Sequence, residues 1–350
     1  LINEEASSMT TLLVTGGSGF IGSNFILHML STRPDYRIVN LDKLTYATSP
    51  EFDQETAIFP HYSFVHGSIE NQELVDFIFK KYDIRGVIHF AAESHVDNSI
   101  ENPGVFVQTN IVGTFTLLNA ALRYWMDGPG KVKESYESCR FHHISTDEVY
   151  GTLENEGKFT EESNYAPNSP YSASKASSDL IVRSFQRTYG LNVVITNCSN
   201  NYGPRQHKEK LIPTIILSAL QHKPIPIYGT GRNVRDWLHV QDHVEAIQLV
   251  FHNGTVGETY NIGSDNEWTN LELAQEICTI LDEQEPLQSK ESGLSSYSEL
   301  IQFVEDRPGH DWRYAIDNSK IHTELGWQAH IPFRVGLKQT IDWYRTKLFS

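Results

Sequence analysis

A chain of 350 residues with 39% hydrophobic and 21% charged residues holds enough apolar side chain for one large or two modest domains, so it needs neither a disulfide framework nor a structural metal. Its formal charge of −16 argues against nucleic acid as a partner, because duplex binding rests on neutralising phosphates with Lys and Arg; an anionic small ligand would need a local basic pocket. The three cysteines, Cys139, Cys198 and Cys278, are scattered and form no CxxC, which fits a reduced, cytoplasmic setting. No apolar run approaches the roughly 18 residues of a spanning helix, and neither a membrane partner nor a secretory leader is expected. Leu1 to Thr10 is polar and acidic, and is expected to fray.

The short β-branched run Thr11 to Thr15 predicts a buried strand, followed by a glycine cluster and an apolar-periodic helix from about Phe20 to Leu30. Tyr36 to Leu41 is the second strand. Further strands are expected at Tyr62 to His66, Gly86 to Phe90, Phe141 to Ser145 and Val193 to Asn197, with helices at Asn71 to Lys80, Val105 to Trp125 and Tyr171 to Tyr189. This alternation predicts an α/β fold: a doubly wound parallel (Rossmann) sheet with helices on both faces. Beyond Asn200 the loops lengthen and prolines appear (Pro204, Pro213, Pro224, Pro226). The expected division is therefore a dinucleotide-binding domain over residues 11–200 and a smaller C-terminal α/β lobe over 201–350. Segments between about 240 and 262 have the pattern to return to the first domain. Glu283 to Ser298 is polar and aperiodic, and is expected to be a surface loop.

Gly16, Gly19 and Gly22 form a G-x-x-G-x-x-G turn between the first strand and its helix, where backbone amides approach a pyrophosphate at a helix N-terminus. Asp42 ends the second strand, where an acid hydrogen-bonds an adenosine ribose; a carboxylate there disfavours a 2′-phosphate, so NAD is expected rather than NADP. Tyr171 and Lys175 lie four apart on one face of a predicted helix. A nearby ammonium favours the phenolate, which can then take a proton from a sugar hydroxyl as hydride leaves the same carbon. Thr146, Asp147 and Glu148 follow a strand at its carboxyl end, where ligands of open α/β sheets collect. The two acids equally suit capping of the next turn. If C4 of a hexose becomes a ketone, however, its C5 proton is acidic, and neighbouring carboxyls can divide base and acid roles.

These motifs carry a family resemblance. Gly16 to Gly22, Asp42 to Ala47, Ala91 to Asp97, Ser145 to Gly151 and Ser169 to Ala176 resemble the dTDP-glucose 4,6-dehydratase family of extended short-chain dehydrogenase/reductases. So do Cys198 to Pro204, Glu209 to Pro213, Arg235 to Leu238 and Asp306 to Asp311, so the resemblance spans nearly the whole chain beyond Thr11. It implies that Tyr171 is the base for C4 oxidation, that Lys175 orients the nicotinamide ribose, and that Thr146 holds the reacting sugar. It further implies that Glu148 removes the C5 proton and that Asp147 protonates the departing C6 hydroxyl. Around NAD it places Gly16, Gly19, Phe20, Ile21, Gly22, Asp42, Lys43, Leu44, Thr45, Ser68, Ile69, Phe90, Ala91, Ala92, Glu93, Ser94, Thr109 and Asn201, together with Tyr171 and Lys175. Around the nucleotide sugar it places Ser94, Thr146, Asn200, Lys210, Leu211, Pro226, Ile227, Tyr228, Arg235, Asn270, Asp306, Arg307, Pro308, Gly309 and His310. Lys210, Arg235 and Arg307 would supply the positive charge a diphosphate needs inside an acidic protein. The family also implies a homodimer through the helices at Thr109 to Trp125 and Tyr171 to Tyr189. No metal is expected, since His95, His239 and His310 match no ligand spacing.

The chain departs from the family pattern at Asn98, at Arg205 to Lys208 and at Thr48 to Pro50. The competing expectation is a 4-epimerase or decarboxylase acting on a nucleotide sugar, which would share the glycine loop and the Tyr/Lys pair without needing Asp147 beside Glu148. A catalytically silent NAD-binding scaffold is the alternative of another class.

Overall fold

The computed structural model describes residues 9–46, 48, 52–287, 293–306 and 308–349. Alternating strands and helices build a seven-stranded sheet from β1 (Thr10–Thr15), β2 (Tyr36–Asp42), β3 (Tyr62–His66), β4 (Gly86–His89), β5 (Arg140–Thr146), β6 (Val193–Cys198) and β7 (Thr259–Ile262). Their spatial order is β7-β6-β5-β4-β1-β2-β3. The pairs from β5 through β4, β1 and β2 to β3 are parallel, with Val14 opposite Ile88 and Val87 opposite Phe141. Strand order reverses between β1 and β4, and the carboxyl ends of strands at such a switch point are where doubly wound sheets bind ligands.

The central strands are buried along most of their length, with apolar residues predominating, because helices cover both faces of the sheet. Leu13, Val39, Val87 and Phe141 pack in one core with Leu117 and Val182. The covering helices include α1 (Phe20–Thr32), α2 (Gln72–Tyr82), α3 (Thr114–Trp125) and α4 (Pro170–Tyr189). Asn71 caps α2 by accepting the Leu74 amide. A Ser169/Ser172 capping box with Pro170 in the first turn starts α4, and Gly190 at φ +72° ends it.

The helix predicted over Val105 to Trp125 is not uniformly α-helical. Pro103–Phe106 leads into a π-helical segment, Val107–Gly113, and only then into α3. One helical run, Pro103–Trp125, is also long and apolar enough to meet a spanning criterion, with a mean hydropathy of 1.4, which corrects the expectation that no such segment exists. Gln108, Thr109 and Asn110 interrupt the apolar letters, so no consecutive run appears in the sequence. More than half of the qualifying window is buried within the protein, as in a core helix.

The chain divides into two compact units. The first comprises Leu1–Thr146, Ser169–Thr196 and Ile247–Thr259; the second comprises Asp147–Asn168, Asn197–Ala246 and Tyr260–Ser350. The chain thus crosses between them several times, first at the peptide bond joining Thr146 to Asp147. Within the second unit, a three-stranded sheet places Val234–His239 between Glu267–Thr269 and Asn200–Tyr202. Ile225–Tyr228 pairs in parallel with Ile301–Val304. A separate core joins Ile212, Ile216, Ile227, Leu273, Ile277 and Leu337. The excursion after Thr146 is stitched into this unit by Leu153 N donating to Arg313 O and Phe159 N donating to Ala315 O, both at 2.9 Å. In the segment predicted as a loop over Glu283 to Ser298, the helix Asn270–Gln284 ends and a short 3-10 turn, Tyr297–Leu300, begins; residues 288–292 lie outside the described residues.

Candidate active site

In the first unit, the loop after β1 has to approach the strand end of β4 closely. Gly16 adopts φ +69°, and a Cβ there would lie 2.6 Å from the Ala91 backbone. A Cβ on Gly22 would lie 2.4 Å from Gly16 O and 2.7 Å from Gly17 Cα. Gly19, by contrast, has only Gly16 O at 3.4 Å, so its face is open. Gly19 is also the N-cap of α1 and provides no side chain to satisfy the first-turn amides. These amides and the helix dipole suit an anion.

The loop is held from β2. Asn40, fully buried, accepts the Gly17 amide at 3.1 Å and donates to Ser18 Oγ and to Tyr62 Oη, both at 3.0 Å. Asp42 accepts the Ser18 amide at 3.0 Å and the Leu44 amide at 2.8 Å. Burial pushes the Asp42 carboxyl above its usual range, and these two amides oppose the rise. Asn40 went unrecognised in the sequence, where it reads as one polar letter in a buried strand; its position two residues before the expected acid is the only available signal.

Lys43 Nζ lies 2.9 Å from Glu93 Oε1 and donates to Thr109 Oγ1 at 3.2 Å, while Thr109 donates to Glu70 Oε1 at 2.9 Å. The structure therefore brings together three predicted cofactor residues from the ends of β2 and β4 and from the π-helical segment. Asn110, the next residue in that segment, accepts the Glu93 amide at 2.8 Å and donates to Glu93 O and Ser174 Oγ. Widened helical turns of this kind often mark functional sites. Ile69 packs beneath Gly113, and the Ser68 hydroxyl accepts the Glu70 amide at 3.2 Å. Phe20, Ile21, Phe90, Ala91 and Ala92 are half-buried around the loop ends, Thr45 is half-buried, and Leu44 and Ser94 are exposed. Asn98 donates to Tyr46 Oη at 3.1 Å, which gives that departure a local partner. Ala47, Ser49, Pro50 and Arg307 lie outside the described residues.

Tyr171 and Lys175 are both buried on α4. The Tyr171 ring meets Phe106 edge-on at 6.3 Å, and Lys175 Nζ donates to Ile144 O at 2.8 Å. Thr146 closes β5 and is 8% exposed. Asp147 and Glu148 begin a 3-10 turn, Asp147–Tyr150, with Asp147 buried and Glu148 half-buried. Beneath β4 and β5 lies a polar network that the apolar strand pattern conceals. His89 bridges Thr15 Oγ1 at 2.7 Å and Thr114 Oγ1 at 2.9 Å, and its ring lies 5.2 Å from that of His143. Burial, and then the Lys175 charge, hold the His143 imidazole well below its usual pKa.

In the second unit, Arg235 is buried, stacks over the Tyr314 ring at 4.3 Å and donates to Asp311 O at 2.9 Å. Burial and the Glu148 charge push the Tyr314 phenol far up, so it stays a donor, and it donates to Asp311. Lys210 is the N-cap of Leu211–Leu220 and supplies no capping side-chain bond. His310 Nδ1 lies 2.7 Å from Asp306 Oδ1 and its ring meets Tyr228 edge-on, while Gly309 at φ +66° turns the chain beside them. Asn270 is buried, and its Oδ1 makes no hydrogen bond, as is also true of Asn200 Oδ1; both leave an acceptor available. Pro226 is half-buried and Pro308 exposed. Ile227 points into the hydrophobic core, which leaves only its backbone for a ligand. Asn201 Oδ1 accepts from His243 Nδ1 at 2.8 Å, and its Nδ2 donates to Ser199 O at 3.0 Å. Among the described residues, the trio Asp242, Glu245 and His330 has metal-compatible spacing. It is accounted for as a clasp, since Asp242 accepts the His330 and Ile331 amides at 3.2 and 3.1 Å.

A glycine loop locked to an acid at the switch point, with a buried Tyr-x-x-x-Lys pair bonded to a neighbouring strand end, defines a dinucleotide-dependent short-chain dehydrogenase/reductase. The chain belongs to the family described as GDP-mannose 4,6 dehydratase, whose family model matches residues 13–340. It is 52% identical over 337 residues to a dTDP-glucose 4,6-dehydratase of Neisseria meningitidis, covering 96% of this chain and 93% of the relative. It is 53% identical over 337 residues to the dTDP-glucose 4,6-dehydratase of Haemophilus influenzae, covering 96% of this chain and 98% of the relative. The crystal structure of a Bacillus anthracis dTDP-glucose 4,6-dehydratase in complex with NAD matches with a TM-score of 0.83 at 43% identity, covering 96% of this chain and 97% of that one.

Proposed function

We propose that this chain dehydrates dTDP-glucose to dTDP-4-keto-6-deoxyglucose, a net lyase reaction of rhamnose-type deoxysugar biosynthesis, with NAD as its cofactor. One observation carries the reading. The Ile144 carbonyl of β5 holds Lys175 of the Tyr/Lys helix, and the same strand runs through Thr146 directly into Asp147 and Glu148. A redox pair and an acid pair are therefore anchored to one strand end. An epimerase needs the first alone; elimination needs both.

The residues fit the cofactor. The open face of Gly19, the approaches required of Gly16 and Gly22, and Asp42 at the end of β2 make a cradle for a dinucleotide without a 2′-phosphate. When bound, NAD takes the hydride from C4 and gives it back at C6, so it is regenerated in each turnover. Tyr171 removes the C4 hydroxyl proton, its phenolate favoured by the Lys175 ammonium, and Thr146 hydrogen-bonds the reacting sugar. With C4 a ketone, Glu148 takes the C5 proton and Asp147 protonates the C6 hydroxyl, which leaves as water. A proton returned to C5 completes the 4-keto-6-deoxy sugar. General acid-base assistance contributes about 10²–10⁴-fold per step. Lys210, Arg235 and Arg307 offer charge to the diphosphate, and Asn200 and Asn270 offer acceptors to donors of the nucleotide or sugar.

The protein is proposed to act in the cytoplasm, where its described cysteines, all free and buried, stay reduced. It is proposed to be a homodimer, with Val107, Val112 and Phe115 of Pro103–Trp125 and Leu180 of α4 supplying exposed apolar surface for the partner. A monomeric mass in solution scattering would count against that. The test of the reaction is dTDP-glucose carrying deuterium at C4. The product should lack one water and carry the label in its methyl group. Simple inversion at C4, or label washed into solvent, would overturn the reading. UDP-, CDP- and GDP-glucose offered in parallel will establish how far the base is discriminated.

A further inference from the structure

We infer that Asp179 is a positioning residue that sets the register of Tyr171 and Lys175 against Thr146. Tyr171, Lys175 and Asp179 occupy successive turns of α4 at a spacing of four, so all three look out from one face of the helix. Two of them grip consecutive residues of β5: Lys175 Nζ donates to Ile144 O at 2.8 Å, and Ser145 Oγ donates to Asp179 Oδ2 at 2.9 Å. The next residue along the strand is Thr146, and the next turn back along the helix is Tyr171. With two bonds on adjacent residues, the helix can neither slide along the strand nor rotate about one pivot. A single Lys175 bond would allow the rotation.

Asp179 and Ser145 are buried, and Asp179 is 0% exposed. A carboxylate in that setting is costly unless compensated. Its second oxygen lies 3.1 Å from His143 Nε2. Burial and the Lys175 charge hold that imidazole well below its usual pKa, and Lys175, one helical turn before Asp179, is the cation whose charge reaches this cluster. A neutral side chain of the same shape would keep the Ser145 bond and lose the balancing charge. A small apolar one would lose both. Asp179 did not stand out in the sequence, where it reads as a helix-surface acid.

This inference rests on the reaction proposed above, and its test separates the two. Asp179→Ala removes the acceptor for Ser145 together with the charge, and is expected to fold and retain NAD. Its kcat on dTDP-glucose, counted per NAD-loaded site, should fall about 10–100-fold, because misplacing reacting groups by about 1 Å costs on that order. KM should change less than about threefold, since the misplaced groups act on the reacting carbon rather than on the nucleotide. The C4-deuterium isotope effect on kcat should rise above that of the unaltered protein as hydride removal becomes limiting. A role confined to stability would lower the number of loaded sites and leave kcat per site and the isotope effect where they were; that result overturns the inference. Ser145→Ala removes only the hydroxyl donor and carries the same measurement, with a smaller loss expected, should Asp179→Ala not fold. If the unaltered protein makes no 4-keto-6-deoxy product, the functional reading fails. If it does and Asp179→Ala matches it, only the positioning role fails.

Discussion

Gly22→Ala tests how tightly the cofactor loop is built. The added Cβ would fall 2.4 Å from Gly16 O and 2.7 Å from Gly17 Cα, about 1 Å short of ordinary contact with backbone that has no flexible end to swing aside. Alanine in a helix is favoured over glycine by roughly 0.5–1 kcal/mol, and overpacking costs about 1–3 kcal/mol. The clash therefore wins, with a net loss of about 1–2 kcal/mol and a fall in Tm of about 1.5–3 °C, from an unfolding entropy of roughly 2.1 cal/mol/K per residue over 350 residues. Relief by moving Gly16 and Gly17 also pulls their amides off a bound pyrophosphate. A lost hydrogen bond to a charged group is worth about 1.5–3 kcal/mol, so NAD should bind roughly 10- to 150-fold more weakly. Gly19→Ala is the control. Its Cβ meets only Gly16 O at 3.4 Å and its φ is −78°, so Tm should hold while NAD affinity still falls, because the clash is with the ligand. Calorimetric titration of NAD into cofactor-stripped protein and thermal melts without NAD read both quantities. If Gly22→Ala binds NAD normally, or if Gly19→Ala lowers Tm as much as Gly22→Ala, the steric reasoning is wrong.

Other substitutions separate the chemical steps. Tyr171→Phe should retain NAD and lose about 10²–10⁴-fold in turnover, measured as product per loaded site; near-normal turnover would remove Tyr171 from its role. Glu148→Gln should still oxidise C4, so a nicotinamide absorbance near 340 nm should build up on mixing, while solvent deuterium fails to enter C5. Acidification should destabilise the fold through its buried histidines. Burial lowers His243 to about 3 and His239 to about 4, and holds His89 and His143 well down. The unfolded chain takes up protons near pH 6.5 while the folded imidazoles remain neutral. Stability is therefore full above that pH and lost as pH falls toward the folded values. Each such group should cost about 2 kcal/mol at pH 5 relative to pH 7. Denaturant melts across that window, repeated with His243→Asn, should show a shallower acid loss in the variant.

The sheet was legible because short apolar runs such as Leu12 to Val14 and Val193 to Ile195 suit strands buried on both faces, and short motifs carry the glycine loop and the Tyr/Lys pair. The π-helical segment was not, since one extra residue in a turn leaves an apolar periodicity nearly intact over a short window. The hidden polar network of His89, His143 and Asp179 was equally illegible. No local pattern marks any of the three, and only the fold decides that they face inward together. The excursion from Asp147 to Asn168 is held by pairing with Arg313 and Ala315, more than 150 residues away, so no local signal announces it. Among the expected site residues, types tied to a backbone geometry were the easiest to place, while Ile227, chosen by resemblance, has its side chain in the core and only its backbone left for a ligand.

Asp42 has a consequence for anyone wishing to redesign the coenzyme preference. Exchanging the acid at the end of the second strand for a small or basic residue is the obvious route to accepting a phosphorylated ribose. Here both carboxylate oxygens already receive main-chain amides, one from Ser18 within the glycine turn and one from Leu44, which sits at φ +53°. Removing the acid would unfasten the turn as well as the proposed ribose contact, so the two requirements cannot be altered one at a time. A workable redesign must supply a replacement acceptor for Ser18 before it changes what Asp42 recognises.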